Sequence, residues 1–203
     1  MLDRIRQVPG TRLDRKSYHE HMRVETGRVN GTVWKLERSQ AFMEAPDDPA
    51  WAAFTAGEWD KSLEIFESER PDIQGEAEKY ARQGSELRRL RIVENPPSAY
   101  LQWELQSLRI VDESGMPVRI LNADEIRSLE GGGQLPEIVI VGDEVLYEVQ
   151  YDSQWSACGA RRITDRAVIR DTAAEMDGLW AQAEPLSSYF AREISPLPPP
   201  SGD

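Results

Sequence analysis

Within the stretch LRRLRIVENPPSAYLQWELQSLRI, residues 87–110, an arginine, a phenol and a carboxylate fall where they can meet. Arg91 lies near the end of an alternating, strand-like run, and two prolines then turn the chain. Tyr100 and Glu104 follow four residues apart, which on a helix places them side by side. Residues of these types suit three uses. Glu104 and Tyr100 can exchange protons in acid–base catalysis with Arg91 holding a charge nearby. The same trio can grip a small polar ligand. The structural alternative is that Glu104 neutralises Arg91 inside the fold.

Other sites with a recognisable signature are missing. No phosphate loop of the G-x-x-x-x-G-K type occurs, and Gly131–Gln134 is followed by no lysine and no helix cap, so it reads as a hinge. There is no dinucleotide fingerprint and no nucleophile elbow. His19 and His21 are the only histidines; on a strand they would share one side, but two imidazoles in a charged segment do not make a metal centre. Cys158 is the lone cysteine, without a Cys or His neighbour, and is expected to be a packed, inert thiol. No catalytic residue, metal or cofactor is therefore assigned. The six tryptophans are expected in the core.

The elements that would carry the cluster can be read from punctuation and period. A helix is expected around YHEHMRVE (18–25) and a strand over GTVWKLERS (31–39). Asp48 and Pro49 open a helical pattern with apolar Trp51, Phe54, Trp59, Leu63 and Phe66; Gly57 splits it in two and Pro71 should stop its second part. A further helix should then end at Gly84, before the strand LRRLRIV (87–93), which alternates as a partly exposed strand does. The helix holding Tyr100 and Glu104 buries Leu101, Leu105 and Leu108, and leads to the strand MPVRIL (116–121) and a short helix capped by Asn122. EIVIV (137–141) is apolar enough for a central strand, turning through GDE into VLYEVQYD, with WSACGARRI pairing next. The last helix should run from about Asp165 to Ala183.

This order predicts a mixed α/β fold: a mixed sheet flanked by helices, a strand-helix-strand core with a right-handed crossover, a β-hairpin and a closing C-terminal helix. Residues 1–30 read as a basic leader, 31–194 as one domain and 195–203 as a disordered, proline-rich tail. The charge is divided along the same lines. Residues 1–38 hold nine basic and five acidic side chains, and of the chain's 24 basic and 36 acidic residues 15 and 31 remain, so a leader of +4 precedes a body of −16. Such a body repels a phosphate backbone, and direct nucleic-acid binding is not expected of it. The leader is read as a solvated or self-docking arm. With no apolar run of about 18 residues and no signal-like start, neither a membrane span nor secretion is expected, and the cytoplasm is the default location.

From about residue 33 to 190, the order VWKLERSQAF, WAAFTAGEW, LRRLRIVENPPSAYLQWEL, GMPVRIL, LPEIVIVGDEVLYEVQYD and MDGLWAQAEPLSSYF resembles an uncharacterised family of small actinobacterial proteins encoded beside helix-turn-helix transcriptional regulators. That family's pattern fits at Arg91, Pro97, Tyr100 and Glu104. It departs where Met116 follows Gly115 in place of a glutamate, and where Glu137 to Asp143 keeps acids at both ends but has Ile138, Val139 and Val141 for aromatics. A second resemblance is to phospholipase D-like sensor domains of some regulators, which share the strand, helix, G-x-x-V-R strand ending at Arg119, apolar hairpin and closing tryptophan helix. The chemistry of those domains needs a histidine and a lysine two residues apart, and Arg23 stands where that lysine would follow His21, which implies a silent site.

Together these readings give a non-enzymatic regulatory or interaction protein, acting with a helix-turn-helix regulator and sensing a small ligand. Arg91, Tyr100, Glu104, Arg119, Glu137 and Asp143 are its ligand or partner candidates. Two alternatives stay open: an enzyme using the Glu/Tyr/Arg cluster, and an acidic decoy that occupies a regulator's DNA-binding surface.

Overall fold

The computed structural model describes residues 1–200. A 3-10 helix, Leu2–Gln7, comes first, with Leu2 and Ile5 fully buried. β1 (Thr11–Asp14) pairs with a later strand, and α1 (Arg15–Thr26) starts where the Asp14 carboxylate accepts the Ser17 amide at 2.7 Å. The basic leader is thus docked on the body, held by apolar burial and by main-chain pairing.

β2 (Gly31–Glu37), α2 (Pro49–Thr55), α3 (Trp59–Arg82), β3 (Ser85–Val93), α4 (Ala99–Glu113) and β4 (Val118–Asn122) make two successive crossovers, so β2, β3 and β4 run parallel. Asp48 caps α2 with Pro49 in the first turn, and Gly57 at φ +75° separates α2 from α3, as the sequence implies. A 3-10 helix (Ala123–Leu129) follows, closed by a reciprocal cap between Asn122 and Glu125. β5 (Ile138–Val141), β6 (Val145–Tyr151) and β7 (Ala157–Ile163) form the expected antiparallel meander. α5 (Arg166–Gln182), the two-residue β8 (Glu184–Pro185) and α6 (Leu186–Tyr189), continued by a π-helical turn at Phe190–Ile194, complete the described chain.

All eight strands lie in one mixed sheet, ordered β1-β7-β6-β5-β2-β3-β4-β8. One face buries Val33, Val139, Val141 and Tyr147 under α1, α4 and α6; the other buries Leu36, Leu90, Ile140 and Leu146 under α5 and the two 3-10 helices. The fold class is therefore the mixed sheet flanked by helices that the sequence implies. A third apolar cluster joins Phe66 of α3 to Tyr100 and Trp103 of α4, with Trp51 and Phe54 of α2 against them.

One expectation fails at Pro71. α3 runs through it for 24 residues, although proline lacks the amide and crowds the preceding turn, a cost of about 3 kcal/mol. Leu63 and Phe66 before the proline and Ile73, Ala77 and Tyr80 after it continue one apolar face against α4 and the sheet. Burying each large apolar side chain contributes about 1.5–3 kcal/mol, so several of them outweigh one proline whose ring faces solvent. Gly159 is required where β1 meets β7: its φ is +153°, and a Cβ there would stand 2.1 Å from the Leu13 carbonyl oxygen. Of the segment expected as a tail, Ser195–Pro200 leave the π-helical turn without a regular element, and Leu197, Pro198 and Pro199 border a groove beside Trp59 and Arg109; residues 201–203 lie outside the described residues.

Candidate functional site

Parallel pairing of β2 with β3 sets Lys35 opposite Arg89 and Glu37 opposite Arg91, all four on the face under α1 and α4. Four charged side chains there would cost far more than they return unless they neutralise one another. Lys35 and Arg89 share the Glu37 carboxylate, and Arg91 is met by Glu104 from α4. Lys35 Nζ lies 2.7 Å from Glu37 Oε1, and Arg89 Nη1 lies 3.4 Å from Glu37 Oε2. Burial acts to raise the Glu37 pKa, but Arg89, Lys35 and Arg91 outweigh it and hold the carboxyl down at about 2.

Arg91 is wholly buried. Its Nε donates to Glu104 Oε2 at 2.8 Å, and Nη1 donates to the carbonyls of Ile92 at 3.1 Å and Glu37 at 3.3 Å. Nη2 stands 2.8 Å from the same Glu104 oxygen, close enough for ion pairing but outside hydrogen-bond geometry. Glu104 is delivered by α4, which begins where Ser98 Oγ accepts the Leu101 amide just after the double proline. Burial raises the Glu104 pKa; Arg91 pulls it down and Glu37 pushes it up.

Tyr100, one turn before Glu104, packs its ring 5.6 Å from Trp103 and 5.9 Å from Phe42, and its hydroxyl donates to Glu44. Burial, then Glu104 and Glu44, push its pKa above the ordinary phenol value. Trp103 is itself anchored, its indole donating to Ser62 Oγ at 2.7 Å and that hydroxyl donating to the Ala50 carbonyl at 2.8 Å.

Glu137 stands just before β5 and closes the corner where β2 ends. Its carboxylate accepts the amides of Arg38 at 2.9 Å and Ser39 at 2.7 Å. Burial pushes its pKa up to about 7, with the Ser39 amide opposing and Glu37 adding. Arg38 leads away from the corner, its guanidinium bonded to Glu130 and Glu94.

Lys35, Glu37, Arg89, Glu104 and Glu137 floor a crevice of about 480 Å³ between α1 on one side and α3, α4 and the segment joining β2 to α2 on the other. Tyr18, Phe42, Phe66, Tyr100, Trp103 and Tyr151 give it aromatic walls. A second hollow of about 630 Å³ adjoins it and shares Glu137 and Tyr151. The crevice lies at the carboxyl ends of β2 and β3, beside the change from parallel pairing to the antiparallel β5.

Three of the six residues singled out from sequence, Tyr100, Glu104 and Glu137, line the crevice, and a fourth, Arg91, is buried beneath it against Glu104. Arg119 does not: β4 points it to the opposite face, where Nη1 donates to the Trp180 carbonyl at 2.8 Å and the guanidinium lies 4.9 Å over the Trp180 ring, securing the end of α5. Asp143 sits in the β5–β6 turn, at the other end of β5. Lys35, Glu37 and Arg89 were legible as alternation, but not as parts of the site, because nothing local tells which helices will cover that face. His19 and His21 fall on α1, the helix expected around residues 18–25, where a two-residue spacing points them apart. Among the described residues no group of three or more His, Cys, Asp or Glu is placed to hold a metal ion. Cys158, expected to be packed, is exposed on β7.

The architecture and crevice define an open-sheet α/β domain with a buried, charge-paired site at its parallel strand ends. The chain belongs to the family described as a domain of unknown function, DUF6879, whose model matches residues 21–191. Membership agrees with the resemblance to an uncharacterised family. No curated protein matches the chain. A similar solved structure is that of TrmBL2, an archaeal chromatin protein reported to show a novel mode of DNA binding; it is 12% identical with a TM-score of 0.44, over 84% of this chain and 50% of that one. The chain thus spans about half the length of TrmBL2. No helix among the described residues is long and apolar enough to cross a membrane.

Proposed function

We propose that this domain is a non-enzymatic regulatory module of the cytoplasm that takes a small ligand into the crevice and works with a helix-turn-helix transcriptional regulator. The observation that carries the ligand reading is the position of the crevice. In open α/β sheets, ligands bind outside the carboxyl ends of parallel strands where strand order or direction changes, and pockets with apolar walls and a few convergent polar groups are the usual binding sites. The charge-paired floor beneath aromatic walls fits that description.

Binding is favoured over catalysis by the state of the groups that would move protons. Glu104 is engaged by Arg91, and the Tyr100 hydroxyl is engaged by Glu44 with its pKa pushed away from neutrality. The regulator as partner rests on the sequence resemblance alone. A second reading, the acidic decoy, draws support from α3, where Asp60, Glu64, Asp72 and Glu76 are exposed and make no ion pair among the described residues.

Affinity purification of the full chain from its native cell, with co-purifying proteins and small molecules identified, tests the proposal. A helix-turn-helix protein recovered at near-stoichiometric yield is the expected result. Recovery of unrelated enzymes, or turnover of a bound compound, would overturn it.

A further inference from the structure

We infer that the ligand of the crevice is a small aromatic amine carrying a hydroxyl at the end remote from its ammonium group. This deepens the ligand-binding reading above and rests on it. The crevice is graded from a neutralised floor to a negative mouth. On the floor Lys35 and Arg89 share Glu37, Arg91 takes Glu104, and Glu137 at the strand end acts on Arg91 as a third carboxylate. With Glu137 ionised these charges balance, and little net charge is left there to attract an ion.

Three polar atoms of the floor remain unfilled, the acceptor Glu37 Oε2 and the donors Arg89 Nε and Arg91 Nη2. Glu37 is nine-tenths buried, and its Oε2 accepts no hydrogen bond, since Arg89 Nη1 at 3.4 Å lies outside hydrogen-bond geometry. A buried acceptor without a donor costs about 1–3 kcal/mol relative to a satisfied one. An adjacent ammonium would be opposed by Lys35, Arg89 and Arg91, whereas a neutral hydroxyl can donate to Glu37 Oε2 and accept from Arg89 Nε.

The mouth differs. Glu44, Asp48 and Glu69 border it from the α2 and α3 side, against one unpaired cation on the α1 side, Arg15, with His19 beside it. Glu69 makes no ion pair and no hydrogen bond among the described residues, and Asp48 and Asp72 act on it as like charges. Glu44 accepts only the Tyr100 hydroxyl, and Asp48 only the Trp51 amide. Excess negative charge at the mouth favours an ammonium group. Between mouth and floor lie Phe42, Tyr100, Trp103 and Tyr151, whose faces stack on an aromatic body and attract a cation.

Three probes of one size separate these elements: tyramine, phenethylamine without the hydroxyl, and 4-hydroxyphenylacetate with the charge reversed. Titration calorimetry on the full chain at about 50 mM salt should give tyramine an affinity roughly fivefold above phenethylamine and at least tenfold above the acid. Glu69→Gln, which removes no contact within the fold, should weaken tyramine about fivefold and leave the melting temperature unchanged. The comparison of tyramine with phenethylamine reads the Glu37 position without altering the protein. Equal or tighter binding of 4-hydroxyphenylacetate, or indifference to Glu69→Gln, would overturn the amine. If none of the three binds at about 10 mM, the amine is likewise overturned, and fragment soaks decide the rest. A neutral or anionic fragment seated between Phe42 and Tyr151 would leave the ligand-binding reading standing; a crevice empty across fragments of every charge would remove both.

Discussion

Arg91 and Glu104 are a fully buried ion pair, and the balance of such a pair is set by desolvation as much as by attraction. Removing one partner strands the other. Glu104→Ala should therefore lower stability by about 3 kcal/mol, measured by urea denaturation, while the Arg91→Leu/Glu104→Leu double change recovers at least half of that loss. A double change no better than the single one would show that Arg91's bonds to the Glu37 and Ile92 carbonyls matter more than its charge partner. Glu137 makes a separate prediction. Its folded pKa, about 7, lies above the ordinary glutamate value, so between about pH 4.5 and 7 the native state binds more protons than the unfolded chain. Stability then falls as pH rises through that window. Glu37, held down at about 2, acts in the opposite sense, its contribution being lost as pH falls below about 4.5. Stability should peak near pH 5 and decline by on the order of 2 kcal/mol toward pH 7.5, and Glu137→Gln should flatten that decline.

At the scale of elements, what the sequence showed and what it hid have distinct physical causes. Caps and turn residues act through neighbours a few positions away. Asp48, Gly57 and Asn122 therefore marked their helix boundaries correctly, and the strand-helix-strand core with its meander could be read in order. Which side of a strand is covered depends on distant helices, so the strand LRRLRIV read as partly exposed and the floor of the crevice was read only in part, through Arg91 and Glu104. Pro71 was misread for the same reason, because the packing that carries α3 across it involves α4 and the sheet. Its ring faces solvent, so Pro71→Ala should restore a helical amide without losing packing and raise stability by about 1–2 kcal/mol, seen as a higher urea midpoint. Gly159→Ala should do the reverse at one place. Hydrogen exchange should show faster amide exchange along Thr11–Asp14 and Ala157–Gly159, while β2, β3 and β4 keep their protection.

For the whole molecule, the net charge of −12 conceals an arrangement that folding partly rewrites. The nine cations of residues 1–38 do not stay together: Lys35 and Arg38 are drawn into carboxylate pairs at the sheet, and Arg28 pairs with Glu25. Exposed cations of the leader such as Arg12, Arg15, Lys16 and Arg23 sit on β1 and α1, at the antiparallel end of the sheet, while α3 presents its row of acids. A duplex approaching α1 would meet few free cations and a repulsive remainder, and each phosphate contact made would be lost with rising salt. The isolated protein should therefore give no change in anisotropy with labelled duplex DNA at about 150 mM salt, where the screening length of about 8 Å leaves only close contacts effective. At low salt, weak binding indifferent to sequence should appear, and Arg12→Ser/Arg15→Ser should abolish it. Where purification recovers the proposed regulator, the same titration in its presence asks whether the acidic face competes for a basic recognition surface. Lowered regulator affinity that Glu64→Lys/Asp72→Lys/Glu76→Lys on α3 restores would favour the decoy; an effect unchanged by those substitutions but altered by an occupied crevice would favour ligand-controlled regulation. Salt-resistant, sequence-selective binding by the protein alone would contradict the charge argument and place a DNA-reading surface on β1 and α1.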